Sequence, residues 1–284
     1  MIAAVLAAGL AATLAAPGAQ AATETTFTIS SFNVLGSSHT RDSSTYATGP
    51  SRQRGVVRLL DRHDVDVVGF QELQADQLTR FLKLTDGSYE VYPGFDLGRT
   101  VATEDSLAWR TSMWEAVQKT TVDIPYFDGR PRHMPVVELR NKQTGITAWF
   151  ANFHNPATNA NHPGQDQWRA QAIADEVALA RKLHRTHLPV FFTGDMNERE
   201  KVFCPMTGQA PMRAARGGSN HDGTCHPDHP WYVDWIFGTK RLTFSDYVED
   251  KSPLDQRTTD HPVIVSTAHI DPAKFPEAVA PATS

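Results

Sequence analysis

Short apolar runs and segments with helical spacing follow one another along most of the chain. In TFTISSFNV, apolar and polar positions alternate through Phe27 and Ile29, which is the period of a half-buried strand. RQRGVVRLLDRHD shows helical spacing at Val56, Leu59 and Leu60, and VDVVGFQE has the length and apolar content of a buried strand. The pattern therefore predicts a strand, a helix and a second strand, with polar residues at the end of each strand.

The same two patterns continue toward the C-terminus. A helix is predicted in QADQLTRFLKL, and strands are predicted in SLAWR, MPVVELR and ITAWFANFH. Residues 164–183 predict a long helix whose apolar stripe consists of Ala170, Ile173, Val177 and Ala180. LPVFFTGDMNE, YVDWIFG and PVIVSTAHI predict the last strands. Because helices alternate with strands early and strands dominate later, we expect a mixed α/β sandwich and not a simple parallel βαβ sheet.

The N-terminal residues have the pattern of an export signal. Residues 1–21 are apolar and uncharged and end in Ala19-Gln20-Ala21, a small-x-small pattern that signal peptidase cleaves. A membrane anchor or a misassigned start is the alternative, but the run is short and is broken at Pro17. We expect a cleaved signal peptide at 1–21, one domain at 22–272, a flexible tail at 273–284 and a secreted, extracellular protein.

Composition restricts the function only weakly. The 284 residues are 40% apolar and 21% charged, as in a soluble globular protein with one core. A net charge of -5 gives no basic footprint for tight nucleic-acid binding, although bound metal ions can supply positive charge locally. Lys and Arg total 27 against 32 acidic residues, so no cationic excess favours a phosphoinositide. No exposed apolar hairpin for membrane docking is evident either.

Two cysteines, Cys204 and Cys225, are the only ones in the chain. In an exported protein an even number of cysteines is normally oxidised, which predicts a disulfide between them. A metal site is the alternative, because His221, His226 and His229 lie close to Cys225 in sequence. The spacing of these side chains fits no zinc pattern, so the disulfide is favoured.

Six segments place polar side chains at or beside the predicted strand ends: FNV, QE, NFHNP, GDMNE, VDW and TDHP. Their oxygens are the hard donors that Mg²⁺ or Ca²⁺ prefers, and their histidines can move protons. Each motif alone is weak, since Asp and Asn commonly hold turns by hydrogen bonds to the backbone. The order and context of the whole set are what is specific.

In their order and context these motifs resemble the endonuclease/exonuclease/phosphatase superfamily, which includes pancreatic deoxyribonuclease, abasic-site endonucleases, sphingomyelinases and inositol polyphosphate phosphatases. The resemblance covers residues 26–270, and GDMNE and TDHP match closely. It implies an α+β, deoxyribonuclease I-like fold, in which two packed β-sheets flanked by helices form a four-layer sandwich. It also implies a divalent metal, Mg²⁺ with Mn²⁺ or Ca²⁺ as alternatives.

The resemblance assigns roles to individual residues. Asn33 and Glu72 look like the metal-binding pair, and Asp260 looks like a further contributor to that metal. Asp195 and Asn197 resemble the pair that positions water and phosphate oxygens or holds a second metal. The residues that it implies act on the phosphate or orient such a group are His261, its partner Asp234, His154 and Arg132, for which Arg130 is an alternative. Asn152, before His154, matches the family's strand-end asparagine.

Two roles stay open at the level of sequence. The acidic partner of His154 can be Glu104 or Asp105, whereas strict register offers Thr103. A phosphodiester needs charge neutralisation, a base for water and an acid for the leaving alkoxide. Asp195 and the pair of His261 with Asp234 are candidates for the base, and His154 is a candidate for the acid.

The sequence therefore predicts a secreted, metal-dependent phosphoesterase. We expect a monomeric nuclease or phosphodiesterase that acts on nucleic acid without stable membrane insertion. A phosphatase, a sphingomyelinase-like phospholipid hydrolase and a catalytically inactive binding module on the same fold are the alternatives. The segment between Cys204 and Cys225 is expected to set substrate choice, and one of Trp231 and Trp235 can face the substrate.

Overall fold

A computed structural model describes residues 23–229 and 232–279. The predicted signal peptide and Trp231 lie outside these residues. The strands are β1 (Thr25–Asn33), β2 (Val67–Gln71), β3 (Tyr89–Tyr92), β4 (Leu107–Arg110), β5 (Trp114–Pro125), β6 (Pro131–Asn141), β7 (Thr147–His154), β8 (Val190–Asp195), β9 (Met212–Ala214), β10 (Ser219–His221), β11 (Thr224–His226), β12 (Asp234–Thr239), β13 (Thr243–Asp250) and β14 (Val263–Ile270). The α-helices are α1 (Gly49–Arg62), α2 (Ala75–Thr85), α3 (Asp166–His184), α4 (Glu200–Gly208) and α5 (Asp255–Thr258).

Two mixed sheets of six strands form the middle of the molecule. The first has the order β13-β14-β1-β2-β4-β3, and the second has the order β5-β6-β7-β8-β12-β9. β1 runs parallel to β2, and β7 runs parallel to β8, whereas the other neighbours within both sheets are antiparallel. Parallel neighbours bring their C-terminal ends to one edge, so the polar residues that follow these four strands lie together.

Three apolar clusters divide the molecule into four layers. One lies between the two sheets, a second lies between the first sheet and helices α1 and α2, and a third lies between the second sheet and helices α3 and α4. In β2, Val67 belongs to the cluster between the sheets and Val68 to the cluster under the helices. Phe191 and Phe192 divide in the same way in β8. Burial of both faces explains why these strands read as continuous apolar runs, and the predicted four-layer α+β fold is confirmed.

Gly69 lets the two sheets approach closely beneath the site. A Cβ atom at this position would lie 1.9 Å from Thr193 Oγ1 and 2.2 Å from Asn152 Oδ1. In this space Gln71 Nε2 donates to Asn152 Oδ1 at 2.7 Å, and Asn152 Nδ2 donates to the Phe70 carbonyl at 2.6 Å. Asn152 is therefore a buried residue whose hydrogen bonds link the two sheets.

The C-terminal boundary differs from the prediction. Residues 273–279 do not form a flexible tail, because Phe275 is fully buried in the cluster between the sheets. The main chain forms 3-10 turns at Pro272–Lys274 and Pro276–Ala278, and Val279 makes a bridge with Ile146. Burial of one aromatic side chain thus extends the domain beyond residue 272.

Cys204 and Cys225 form the predicted disulfide. The bond ties the hairpin of β10 and β11 to α4, and Asn220 Nδ2 donates to the Cys204 carbonyl at 2.9 Å. Oxidation of Cys225 removes the thiolate that the alternative metal site required.

Candidate active site

Strand ends from both sheets meet at the polar edge of the sandwich. Asn33 ends β1, and its side-chain amide donates to Glu72 Oε1 and to Asp195 Oδ2, both at 3.2 Å. Its own oxygen accepts from the Leu35 backbone at 3.0 Å, which fixes the orientation of the amide. Asn33 is only 1% exposed, so it holds the carboxylates of the two sheets in a fixed relation.

Glu72 follows β2 in a left-handed conformation, with φ of 60°. Its Oε2 accepts from the Gly36 backbone at 2.7 Å and lies 3.4 Å from His39 Nε2. Burial opposes ionisation of the carboxyl, but the charge of His154 and the Gly36 hydrogen bond outweigh burial and lower the pKa of Glu72. Glu72 is thus held as a carboxylate, the form that binds a metal.

Asp195 lies at the centre of the site, where β8 ends. The backbone N–H of Asn197 donates to its Oδ1 at 3.0 Å, and its Oδ2 lies 3.7 Å from His154 Nε2 and 3.9 Å from His261 Nδ1. Burial, with the charge of Asp234 added, raises the pKa of Asp195 although both histidines oppose the shift. A carboxylate with a raised pKa is suited to accept a proton near neutral pH.

His261 is paired with Asp234, the first residue of β12. His261 Nδ1 donates to Asp234 Oδ2 at 2.9 Å. Burial favours the neutral ring, but the carboxylates of Asp234 and Asp195 outweigh it and raise the pKa of His261 to about 11. His261 is therefore an imidazolium at neutral pH in this arrangement, able to donate to an anionic phosphate.

His154 is paired with Asp105, which settles the choice among the three candidate partners. Asp105 is fully buried, and its Oδ1 lies 3.4 Å from His154 Nδ1. Thr103 instead donates its hydroxyl to the Gly94 carbonyl at 2.9 Å. Burial lowers the pKa of His154, whereas Asp105 and Asp195 raise it, and the net shift is upward.

Arg132 occupies the same buried cluster. Its Nε donates to Asp105 Oδ2 at 2.6 Å, its Nη2 donates to Glu104 Oε2 at 2.7 Å, and its guanidinium lies 4.4 Å from the centre of the Tyr126 ring. Arg132, the arginine predicted to bind the phosphate, is therefore already paired with two carboxylates. Arg132 orients Asp105 toward His154, and its phosphate role stays a prediction.

The remaining predicted residues have different surroundings. Asn197 has a left-handed backbone with φ of 47°, and its side chain donates to the Asn155 carbonyl at 2.9 Å. Asp260 is exposed beside His261. The sequence allowed Trp235 to face the substrate, but the structure does not place it there. Trp235 is 5% exposed and stacks on Phe237, and its Nε1 donates to the Glu198 carbonyl.

The donor atoms fit a divalent ion. Carboxylate oxygens of Asp195 and Asp234 lie within 4.8 Å of each other and of a ring nitrogen of His261, and Asp234 Oδ1 is buried without a hydrogen-bond partner among the described residues. The two carboxylates are the donors of this group, because His261 as an imidazolium offers a metal no lone pair. Asn33 connects this group to Glu72. Carboxylate and amide oxygens suit Mg²⁺ or Ca²⁺, and a bound ion would supply charge neutralisation at the phosphate oxygens.

Sequence reasoning overlooked Arg52. Its guanidinium is buried and donates to the carbonyls of Val34, Leu35 and Thr258. It therefore joins the loop after Asn33 to the segment that carries Asp260 and His261. Arg52 precedes Val56 by one helical turn on the buried face of α1, and a charge on an apolar face is the signal that could have revealed it.

Fold and site together define the class of protein, a metal-dependent phosphoester hydrolase. A family model described as the Endonuclease/Exonuclease/phosphatase family matches residues 30–261, and the chain belongs to this family. The family, fold class and enzyme class predicted from the sequence are thereby confirmed. No curated protein sequence matches the chain.

Solved structures share the fold with little sequence identity. An endonuclease/exonuclease/phosphatase family protein from Bacteroides thetaiotaomicron has a TM-score of 0.67 and 17% identity, covering 88% of this chain and 99% of that one. The human Nocturnin catalytic domain has a TM-score of 0.67 and 15% identity, covering 86% and 94%. A mannosyl-6-phosphatase from Bacteroides thetaiotaomicron has a TM-score of 0.64 and 18% identity, covering 85% and 99%. At these identities the similarity establishes the fold.

Proposed function

We propose that the protein is an exported, Mg²⁺-dependent phosphodiesterase that hydrolyses nucleic-acid or nucleotide diesters. The observation that carries the proposal is a pair of histidine–carboxylate dyads, His154 with Asp105 and His261 with Asp234, on either side of Asp195. A phosphodiester has an alkoxide leaving group that needs a proton, and its anionic oxygens need donors. Two oriented histidines can supply both.

The chemistry can be divided among these side chains. Asp195, whose pKa is raised, takes a proton from the attacking water while the water oxygen forms a bond to phosphorus. His261, an imidazolium held by Asp234, donates a hydrogen bond to a nonbridging oxygen. His154 gives its proton to the alkoxide oxygen as the bond from phosphorus to that oxygen breaks, and Asp105 keeps the ring in place.

Hydrolysis by the purified mature protein tests this function. Plasmid DNA, RNA, bis-p-nitrophenyl phosphate, sphingomyelin and inositol phosphates are each incubated with Mg²⁺, Mn²⁺, Ca²⁺ or EDTA. We expect cleavage of the nucleic acids and the small diester that EDTA abolishes and that Glu72→Ala and His261→Ala lower about 10²-fold or more. The partly exposed Glu115 and the exposed His133 provide the matched controls, since their replacement by Ala changes the same residue types away from the site.

Other products would point to other functions. A phosphatase releases inorganic phosphate from inositol phosphates or sugar phosphates without cutting diesters. A phospholipid hydrolase cleaves only sphingomyelin. Binding without turnover of any substrate would overturn the enzymatic proposal in favour of an inactive binding module.

Export is the second part of the proposal. The uncharged apolar segment at 1–21 supports it, and so does the Cys204–Cys225 disulfide, since disulfides persist in oxidising compartments. No helix among the described residues is long and apolar enough to cross a membrane. Mass spectrometry of protein from the culture medium should give a chain that begins near Ala22, whereas an intact Met1 would contradict cleavage.

The hairpin held by the disulfide is proposed to set substrate choice. It packs on α4, which follows the segment of Asp195 and Asn197 directly. Shortening the segment between the two cysteines, with both cysteines kept, should change the preference among large substrates more than turnover of bis-p-nitrophenyl phosphate. Equal losses on both kinds of substrate would rule out a selective role.

A further inference from the structure

A cavity of about 580 Å³ opens beside Glu72 and His154. Two segments form one side of it, the turn between β5 and β6 and the loop between β7 and α3. A cavity of this size is in the range that takes a small organic ligand, and a phosphate group alone would fill only part of it. Space is therefore left for a substituent of the phosphate on the side of His154.

Stacked aromatic rings form one wall of this cavity. The rings of Phe127 and His162 are parallel within 4°, with centres 3.9 Å apart. Tyr126 continues the surface, since its ring centre lies 4.4 Å from that of Phe127 and 5.6 Å from that of His154. An aromatic surface thus extends from the catalytic histidine to the far side of the cavity.

Gln165 fixes the turn that carries Phe127. Its Oε1 accepts from the Asp128 backbone at 3.0 Å, and its Nε2 donates to Asp128 Oδ1 at 3.1 Å. Gln165 is 1% exposed, so the turn is bonded to a buried side chain, although Asp128 itself is exposed. The aromatic surface is therefore formed before a ligand arrives, which lowers the entropic cost of binding.

The rest of the cavity is polar. Asp128, Arg130 and Asn161 line it, and Arg130 has no ion-pair partner within the part of the chain that the structure describes. Such a mixture suits a flat ring with polar edges, which stacks on aromatic faces and accepts hydrogen bonds at its rim. An acyl chain would leave these polar groups without partners.

We propose that this cavity is a base subsite, which binds the nucleobase of a nucleotide whose phosphate lies at Glu72 and His154. The inference rests on the proposed phosphodiesterase function and names the part of the substrate that the enzyme selects. Phe127 and His162 provide the stacking surface, and Arg130 contacts the polar edge of the ring.

The test compares three diesters that share p-nitrophenol as leaving group: the p-nitrophenyl ester of thymidine 5′-phosphate, methyl p-nitrophenyl phosphate and octyl p-nitrophenyl phosphate. The wild-type enzyme should prefer the thymidine ester. Phe127→Leu should raise KM for that ester about tenfold while kcat changes by less than about twofold, and both constants for the methyl ester should stay unchanged. Phe127→Trp, which keeps an aromatic stacking surface, should have a KM for the thymidine ester close to that of the wild type.

Val117→Ala, an exposed change in β5, is the matched control and should leave all three substrates unaffected. Equal effects of Phe127→Leu on the thymidine and methyl esters would overturn the base subsite and assign Phe127 a structural role. A preference for the octyl ester would overturn it in favour of an apolar occupant. If the methyl ester is hydrolysed as well as the thymidine ester, the base subsite is overturned but the phosphodiesterase proposal stands. If no ester shows metal-dependent turnover, the phosphodiesterase proposal itself is overturned.

Discussion

The surroundings of one carboxylate decide how His154 is held. Asp105 shares its two oxygens between His154 and Arg132, at 3.4 Å and 2.6 Å. Glu104, its neighbour in sequence, contacts only the outer side of the guanidinium and is partly exposed. Three consecutive residues were candidates for this role. Burial separates Asp105 from Glu104, whereas Thr103 is equally buried and differs by its contact, a hydrogen bond to the Gly94 carbonyl.

Replacement of Asp105 tests this assignment. Asp105→Asn keeps the size of the side chain but removes the charge that favours protonated His154, so we expect kcat on bis-p-nitrophenyl phosphate to fall about 10²-fold. Glu104→Gln is the matched control and should cost less than about fivefold, because a partly exposed ion pair contributes little. A larger effect of Glu104→Gln than of Asp105→Asn would show that the partner is Glu104.

The sequence predicted which residues lie together in the site and the contact of His261 with Asp234, but it left other contacts open. All of the predicted motifs reach one edge of the sandwich, because they follow or precede strands of the two sheets. The pairing of His154 with Asp105 required the fold, since 49 positions of sequence separate them. Arg132 shows the same limit, because its two carboxylate partners come from another segment.

At the scale of elements, α3 illustrates both success and error. The predicted helix at 164–183 is observed at Asp166–His184. Ile173, Val177 and Ala180 are buried as the apolar stripe predicts, whereas Ala170 is exposed. Glu176 is fully buried on the same face, and both carboxyl oxygens lack a hydrogen-bond partner among the described residues. Apolar spacing alone could not reveal a buried acid.

Glu176 should make stability depend on pH. Burial raises the pKa of Glu176 to about 8, above the ordinary value of 4.5 expected in the unfolded chain. Between these values the folded state binds more protons than the unfolded state, so the free energy of unfolding decreases as pH rises, by up to about 1.4 kcal/mol per pH unit. Glu176→Gln should remove this contribution.

Urea unfolding at pH 5.5 and pH 7.5 provides the measurement. The loss of stability between the two values should be smaller in Glu176→Gln than in the wild type by about 2 kcal/mol. Glu200→Gln, a change at an exposed residue of α4 that does not raise the pKa of Glu176, should leave the wild-type pH dependence intact. An identical pH dependence in Glu176→Gln would show that Glu176 is ionised in the folded protein.

The hairpin of β10 and β11 depends on a covalent link rather than on a core of its own. Cys204 and Cys225 are 21 positions apart, and closing a loop of that length in the unfolded chain corresponds to about 3 kcal/mol of stabilisation. The variant with both Cys204→Ser and Cys225→Ser should lose about this much free energy of unfolding. Loss of less than about 0.5 kcal/mol would show that packing on α4 alone holds the hairpin.

At the scale of the whole molecule, the site is shared between two sheets. Asn33 and Glu72 come from the first sheet, and His154, Asp195 and Asp234 come from the second. The absence of a side chain at Gly69 leaves room for Asn152 and Thr193 of the second sheet directly beneath the site, where the acidic groups of both sheets meet. Their mutual repulsion is a cost of folding that a bound cation relieves.

A divalent ion should therefore stabilise the folded protein. Free Mg²⁺ or Mn²⁺ at 100 times its Kd should add about 2.7 kcal/mol to the free energy of unfolding, seen as a rise in Tm that EDTA reverses. Glu72→Gln should reduce the rise, while Glu115→Gln, a change at a partly exposed residue away from the site, should not. A Tm that does not respond to either ion would contradict a metal site formed by these residues.

The sequence by itself determined the family, the four-layer sandwich and the residues of the polar edge. The apolar runs of the buried strands predicted the elements and a mixed α/β sandwich. The resemblance of the ordered polar motifs to a known family implied the four layers and the residues of the polar edge. The tertiary structure decided which residues meet: the choice of Asp105, the buried role of Arg52, the burial of Phe275 and the cavity beside His154. These depend on contacts between segments that are far apart in the chain. The distance between two sheets cannot be read from any local sequence pattern.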